Sequence, residues 1–336
     1  MNAPAATTID ICVCTFRRPQ LADTLRSLAL LRLPEGLRIQ VIDADNDDVP
    51  SARAIARELA SELGIRLRYL HCPARNISLA RNACLDASTA DVLAFLDDDE
   101  TATPDWIARL LEAAERHRAD VVLGPVRAIY GPDAPAWMRQ GDFHSTSPVF
   151  VHGEIRTGYT CNVLMRRSAH SIAARRFSLA RGRSGGEDTE FFDAVWRAGG
   201  RIAFAPEAWL EEPVPPARAT LKWLARRRLR VGQTHGSLLG SVAVAYPISG
   251  QVALALAKAA YSFAAALFLA VAPVQRNRSA LRGIMHLGVV GGLLGVREAQ
   301  HYGDPAPAGE GAEDAAAFSL LDHPGRVQPA ERRGSG

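Results

Sequence analysis

The stretch Val92-Leu93-Ala94-Phe95-Leu96-Asp97-Asp98-Asp99-Glu100 decides how the chain is read. Five apolar residues that end abruptly in four acids predict a buried strand carrying carboxylates to one edge of a sheet. Adjacent acids repel one another, so the cluster persists at low cost only where solvent, basic groups or a divalent cation compensates the charge. Hard oxygen donors favour Mg²⁺ or Mn²⁺ over zinc. The period of two along a strand puts Asp97 and Asp99 on one face and Asp98 on the other, which makes Asp97 and Asp99 the expected ligand pair. The same acids also read as a solvated turn capping the next helix, whose start is marked by Thr103-Pro104-Asp105-Trp106.

Working outward from that strand, the N-terminal half alternates. Strand-like segments at 9–15, 37–42 and 66–71 are separated by helical spacing of apolar residues at 20–31, 51–63 and 77–87. This alternation predicts β-α-β units and an α/β fold with a mostly parallel central sheet. Ligands of such sheets bind at the carboxyl ends of the strands. Three polar clusters fall there: Thr15-Phe16-Arg17-Arg18, Asp43 to Asp48 including Asp45 and Asn46, and Asp97 to Glu100. Downstream, a strand is expected at 120–123, a loop-rich region at 130–157 and a β-like stretch at 160–165. Ser184-Gly185-Gly186 then precedes a helix that Gly199-Gly200 ends.

With 336 residues and 48% hydrophobic content there is room for one large domain and a smaller appendage. A net charge of +3 speaks against a nucleic-acid partner. The five cysteines show neither zinc spacing nor a disulfide pattern, which fits reduced thiols. Met1-Asn2-Ala3-Pro4 opens a polar tail with no leader pattern, so the catalytic part is expected in the cytosol.

From Ala219 the character changes. Arg226-Arg227-Arg228-Leu229-Arg230 precedes uncharged runs at 237–257 and 259–275, separated by Lys258, and a glycine-rich run at 283–296. These predict an amphipathic or re-entrant helical segment at a membrane surface, with the arginines at the anionic cytoplasmic leaflet of a bacterial inner membrane. A soluble helical hairpin is the other reading. The expected organisation is a flexible tail at 1–8, the catalytic domain at 9–235, the apolar helical segment at 236–302 and a disordered tail at 303–336.

The clusters suit a nucleoside-diphosphate sugar laid across the strand ends. An ion on Asp97 and Asp99 would neutralise its phosphates, and Asp45 is expected to accept the imide N–H of uracil, unless it merely forms a local turn or cap. Glu187-Asp188 at a helix start supplies the expected base, because a helix N-terminus favours a carboxylate, although Asp is also a common cap. Arg81 is expected near the donor, and Arg227 and Arg228 on the leaving diphosphate or on anionic lipid. A single displacement would invert the anomeric configuration.

In order along the chain, Cys14 to Arg18, Val41 to Asp47, Asn76 to Asn82, Phe95 to Glu100 and Gly186 to Phe191 resemble the signature blocks of family 2 glycosyltransferases with the GT-A fold. The subgroup they are most similar to is the succinoglycan-type exopolysaccharide glucosyltransferases. The resemblance spans about residues 9–235. It implies that Thr15 and Asp45 contact the nucleotide, that Asp97 and Asp99 are the metal-binding D-x-D pair, that Asp188 is the catalytic base and that the segment around Asn162 lines the acceptor side. Phe16 stands where tyrosine is common, and the region before Gly232 lacks the Q-x-x-R-W box of processive synthases, which implies a single-addition enzyme. The acceptor expected from the apolar segment is a lipid-diphosphate-linked oligosaccharide. Asp97 to Thr101 also reads as the D-x-D-x-T nucleophile motif of haloacid dehalogenase-like phosphatases. A non-catalytic, membrane-tethered sugar-binding scaffold is the other alternative.

Overall fold

The computed structural model describes residues 7–241 and 247–296, so the tail expected at 303–336, and all but two residues of the one expected at 1–8, lie outside the described residues. The N-terminal alternation is present as β1 (Thr7–Thr15), α1 (Leu21–Ala29), β2 (Leu37–Asp45), α2 (Arg53–Leu63), β3 (Leu67–His71), α3 (Ile77–Ala87) and β4 (Val92–Asp97). β4 is buried along Val92 to Leu96 and gains exposure only at Asp97, as its apolar run requires. β5 (Thr101–Ala102), α4 (Trp106–Arg116), β6 (Val121–Leu123), β7 (Val126–Tyr130) and α5 (Ala136–Gly141) follow. Then come β8 (Phe150–Val151), β9 (Glu154–Ile155), β10 (Asn162–Arg166), α6 (Glu187–Arg197), β11 (Ile202–Phe204) and β12 (Leu210–Val214).

The main sheet has the order β11-β6-β10-β4-β1-β2-β3. Its neighbours are parallel except where β10 runs antiparallel between β4 and β6. Ile9, Ile11 and Val13 of β1 are fully buried, and Leu21, Leu25 and Leu28 of α1 pack in the same core. The spacing of those leucines is the stripe an amphipathic helix turns towards a sheet. All five cysteines are unbridged.

A second sheet, β5-β12-β7, is built from two- and five-residue strands that are distant in sequence. It presses the segment around Glu212 against the end of β4, and sequence periodicity gives no sign of it.

Three helices of 21 residues complete the described chain: α7 (Leu221–Ser241), α8 (Ile248–Phe268) and α9 (Pro273–Leu293). Their limits differ from the uncharged runs, since Lys258 lies inside α8, and the boundary expected at 235 falls within α7. α7 and α9 run parallel and touch backbone to backbone. A Cβ on Gly232 would lie 1.9 Å from the carbonyl oxygen of Met285, and one on Gly288 would lie 2.0 Å from that of Leu229. α8 packs antiparallel on α9, with Ala255 beside Val289 and Leu293, and Phe263 against Gly283. By length and composition α8 could cross a membrane: its mean hydropathy is 1.5 and only 22% of it is buried.

Candidate active site

The three polar clusters meet at the carboxyl ends of β1, β2 and β4. Register pairs Cys14 with Asp97 and Thr15 with Asp45, so the strands end side by side. The strand stops at Asp97 and the chain turns at Asp98 and Asp99, yet Asp97 and Asp99 keep partial exposure while Asp98 and Glu100 are buried.

The inward pair shapes the turn. Asp98 Oδ2 accepts from the Thr15 hydroxyl at 2.7 Å and from the Phe16 amide at 3.3 Å, which ties the β4 turn to the end of β1. Glu100 accepts from the Asp97 amide at 2.8 Å, and its other oxygen is buried without a hydrogen bond. Burial, with Asp97 and Glu212 nearby, pushes the Glu100 carboxyl well above its usual range.

The outward pair faces two arginines. Arg18 forms an ion pair with Asp99, and Arg218 lies 3.8 Å from the same oxygen while bonding Glu212 at 2.8 Å. Asp97 is pushed up to about 8 by burial, aided by Asp99, Asp98 and Glu212 and opposed by Arg81. A carboxyl that loses its proton so reluctantly among other acids is a place where a cation lowers the free energy. Among the described residues, no three His, Cys, Asp or Glu side chains converge to hold an ion. Two carboxylates with remaining positions open to water and phosphate suit Mg²⁺ or Mn²⁺, which seldom occupy all-protein cages. The donor set therefore fits such an ion.

At the end of β2, Asp45 is fully buried and accepts from the Asp47 amide at 3.0 Å, the Ala52 amide at 2.8 Å and the Tyr69 hydroxyl at 2.6 Å. These are the bonds of the local-turn reading, and they leave the carboxylate turned away from a base. Asn46 is buried too and accepts from the Asn76 amide at 3.1 Å, joining β2 to the start of α3. Arg17, with φ +55°, is half exposed and clasps Asp47 through the Nε–Nη2 edge of its guanidinium at 2.8–3.0 Å. Its guanidinium stands 5.2 Å from the centre of the Phe16 ring. Phe16, Arg17 and Arg18 are thus the accessible residues at the end of β1.

Asp188 lies in the first turn of α6, reached through Gly185 and Gly186 at φ +92° and +85°. A Cβ on Gly186 would also meet the Thr234 methyl of α7 at 2.3 Å, so space and backbone both demand glycine. Asp188 Oδ1 accepts from the Thr189 amide at 2.7 Å, while Oδ2 is buried without a partner. Burial and Glu187 raise the Asp188 carboxyl to about 7 against the pull of Arg81. The Arg81 guanidinium feels Glu187, Asp188 and Asp97 together, and the Cys161 thiol feels both Asp97 and Asp188. Asp188 and the acidic turn therefore share one electrostatic neighbourhood.

Four expectations need correction. Arg81 is 1% exposed and is the ion-pair partner of Glu187, also 1% exposed, so neither reaches a ligand as a free group. Asn162 is fully buried, with its amide spent on Trp106 Nε1 and on the Pro125 and Ala208 carbonyls at 2.8–2.9 Å, and it does not line the acceptor side. Arg227, Arg228 and Arg230 are less than a tenth exposed and point inward, leaving only Arg226 of that run for a lipid surface. Arg227 instead lies over the Trp223 ring at 5.3 Å. The residues missed at the site are Arg18, Glu212 and Arg218. Arg18 lies inside the Cys14–Arg18 block with no role assigned to it, whereas the other two arrive only through the β12 pairing. The phosphatase reading lacks its lysine: Lys222 and Lys258 are the only ones, and both are exposed on the C-terminal helices.

The chain resembles known proteins in sequence and in fold. The sequence model described as Glycosyl transferase family 2 matches residues 10–172. The chain is 58% identical over 295 residues to the succinoglycan biosynthesis protein ExoM of Rhizobium meliloti, covering 88% of this chain and 96% of that one. It is 24% identical over 243 residues to a glucosyl-dolichyl phosphate glucuronosyltransferase of Haloferax volcanii, covering 65% and 73%. Among solved structures, S. aureus TarS superposes with a TM-score of 0.50 at 16% identity over 86% of this chain, which spans about half (54%) of TarS. TarS 1–349 in complex with UDP-GlcNAc gives 0.50 at 14% identity, covering 91% of this chain and all of that one. At such identities the likeness is one of fold, and it is the GT-A arrangement of a mostly parallel sheet. With the family pattern spanning β1 to β10 and a 58% identical relative matched over nearly its whole length, the chain belongs to glycosyl transferase family 2 and is a glycosyltransferase.

Proposed function

We infer that this enzyme transfers a hexose, with inversion, from a uridine diphosphate sugar to a lipid-diphosphate-linked oligosaccharide at the cytoplasmic face of the inner membrane, in exopolysaccharide synthesis. The observation that carries this reading is the division of labour in the acidic turn. Asp97 and Asp99 stay accessible at the end of β4 while Asp98 and Glu100 hold the turn, with Asp188 in the same electrostatic neighbourhood.

Asp97 and Asp99 would hold a divalent ion, which when bound supplies positive charge to the diphosphate as it departs. Arg18 and Arg218, already beside Asp99, add donors on that side. The acceptor oxygen forms a bond to the anomeric carbon as the bond to the diphosphate oxygen breaks. Asp188 Oδ2, the oxygen without a hydrogen bond, takes the hydroxyl proton. A base whose affinity for protons lies near neutrality works in the pH range of the cytosol. A single displacement of this kind turns an α-linked donor into a β-linked product.

The relative named for succinoglycan biosynthesis supports the pathway assignment, and the long apolar α8 supports the membrane location. The test is a screen of UDP- and GDP-sugars for Mn²⁺-dependent donor hydrolysis, run with Asp99→Ala and Asp188→Asn beside the parent enzyme. Turnover of a UDP-sugar lost in both variants supports the reading. Turnover that persists in both overturns the roles given to Asp99 and Asp188, and no turnover of any donor by the parent enzyme favours a scaffold.

A further inference from the structure

α8 is packed inside out for a helix of a water-soluble bundle. Its buried stripe is small: Ala255, Ala259, Ser262 and Ala266. The large apolar side chains face outward, with Leu254 57%, Tyr261 74%, Leu267 79% and Phe268 89% exposed, and Val271 in the following turn is 96% exposed. Small residues between helices and bulky ones outside are what a helix adopts when its outer surroundings are hydrocarbon.

Charge identifies those surroundings. Residues 213–297 contain no acid, and among the described residues of that stretch Lys222, Arg226, Lys258, Arg276 and Arg278 are exposed. Lys258 on α8 and Arg276 in the first turn of α9 are both exposed next to the apolar face. A cationic rim on an apolar helix complements anionic lipid headgroups.

Packing fixes the orientation. α7 is held against the catalytic domain as far along as Thr234, on Gly186, and Ser237, bonded by Arg181 at 3.1 Å. α9 is held there by Arg278, which donates to the Gly141 carbonyl at 2.8 Å. α8 rests on α9. For α8 to cross a hydrocarbon layer of about 30 Å, α9 and α7 would have to enter it with their arginines, which is costly. We propose that α8 is a monotopic docking helix that lies in the plane of an anionic bilayer, its Leu254, Tyr261, Leu267 and Phe268 face sunk below the headgroups, and does not span it. This deepens the membrane location proposed above and rests on it.

The test uses the full chain. In flotation with vesicles of phosphatidylcholine and phosphatidylglycerol, the protein binds, and vesicles of phosphatidylcholine alone bind it about tenfold less. A Leu267→Glu/Phe268→Glu variant loses binding about tenfold or more and keeps donor hydrolysis, which also reports that it is folded. Single cysteines at Ser249 and Val271, near the two ends of α8, react with an impermeant maleimide in inside-out vesicles and not in intact spheroplasts. Labelling of either position from the periplasmic side, vesicle binding unchanged in the double variant, or no binding to either vesicle overturns the proposal. Absence of donor turnover with intact vesicle binding would count against the transferase reading alone.

Discussion

Arg81 of α3 and Glu187 of α6 form an ion pair in which each side chain is 1% exposed. Burial opposes the charge on Arg81, yet Glu187, Asp188 and Asp97 outweigh it and hold the guanidinium protonated. Removing one member of such a pair strands the other in the core, which typically costs about 3–5 kcal/mol. Glu187→Gln and Arg81→Met should each lower stability by that order, while Arg81→Met/Glu187→Met together should cost clearly less than the sum. Urea unfolding of the three variants measures this; additive losses would rule out the pair as a unit.

Asp188→Asn should leave the fold intact, because a neutral side chain removes a desolvated charge, and should lower kcat about 10³-fold. In the parent enzyme the base must be unprotonated, so kcat rises with pH through about 7 and then levels. A pH–rate series from 5.5 to 8.5 checks the sign. Activity that falls across this range would mean that Asp188 acts as an acid.

Asp97 is raised to about 8 in the folded chain, first by burial, from the usual carboxylate value. The folded state therefore binds this proton more tightly than the unfolded state. Without metal, its contribution makes stability fall as pH rises from ~4 through about 8. A divalent ion on Asp97 and Asp99 reverses that loss. Thermal melts should show a Mn²⁺-induced gain of about 5 °C at saturating metal, larger at pH 8 than at pH 5 and absent in Asp97→Asn/Asp99→Asn. A gain of equal size in the double variant would place the ion elsewhere.

Asn162 bridges α4, β10 and the loops before β7 and β12, and its Asn162→Ala variant strands the Trp106 indole N–H and two carbonyls. Each stranded buried group costs about 1–3 kcal/mol, so the variant should be severely destabilised, while its folded fraction keeps the parent KM for the donor. Melting curves and steady-state kinetics separate the two effects. A raised donor KM in a stable variant would restore the residue to the binding surface.

The half of the fold that follows from apolar periodicity was legible: α3 spans Ile77–Ala87 in both readings, and the strand ends gather the three polar clusters. Longer-range pairing was not. Thr101-Ala102 is too short to announce a strand, yet its pairing with β12 helps carry Glu212 and Arg218 to Asp99. The arginine run shows a second limit. Composition treats Arg226 and Arg227 alike, but helix geometry turns one outward and buries the other beside Trp223. At Asp45 the sequence allows both a uracil contact and a local turn, and only the three donors on its carboxylate decide for the turn.

Because the Thr234 methyl fills the hollow where Gly186 has no side chain, α7 is braced directly against the start of the helix that carries Asp188. In the membrane docking proposed for α8, this brace would set the height of Asp188, the proposed base, above the bilayer. For the lipid-tethered acceptor proposed above, only a hydroxyl within a narrow band of stand-off would then be reachable, and the length of the glycan already built would act as a ruler.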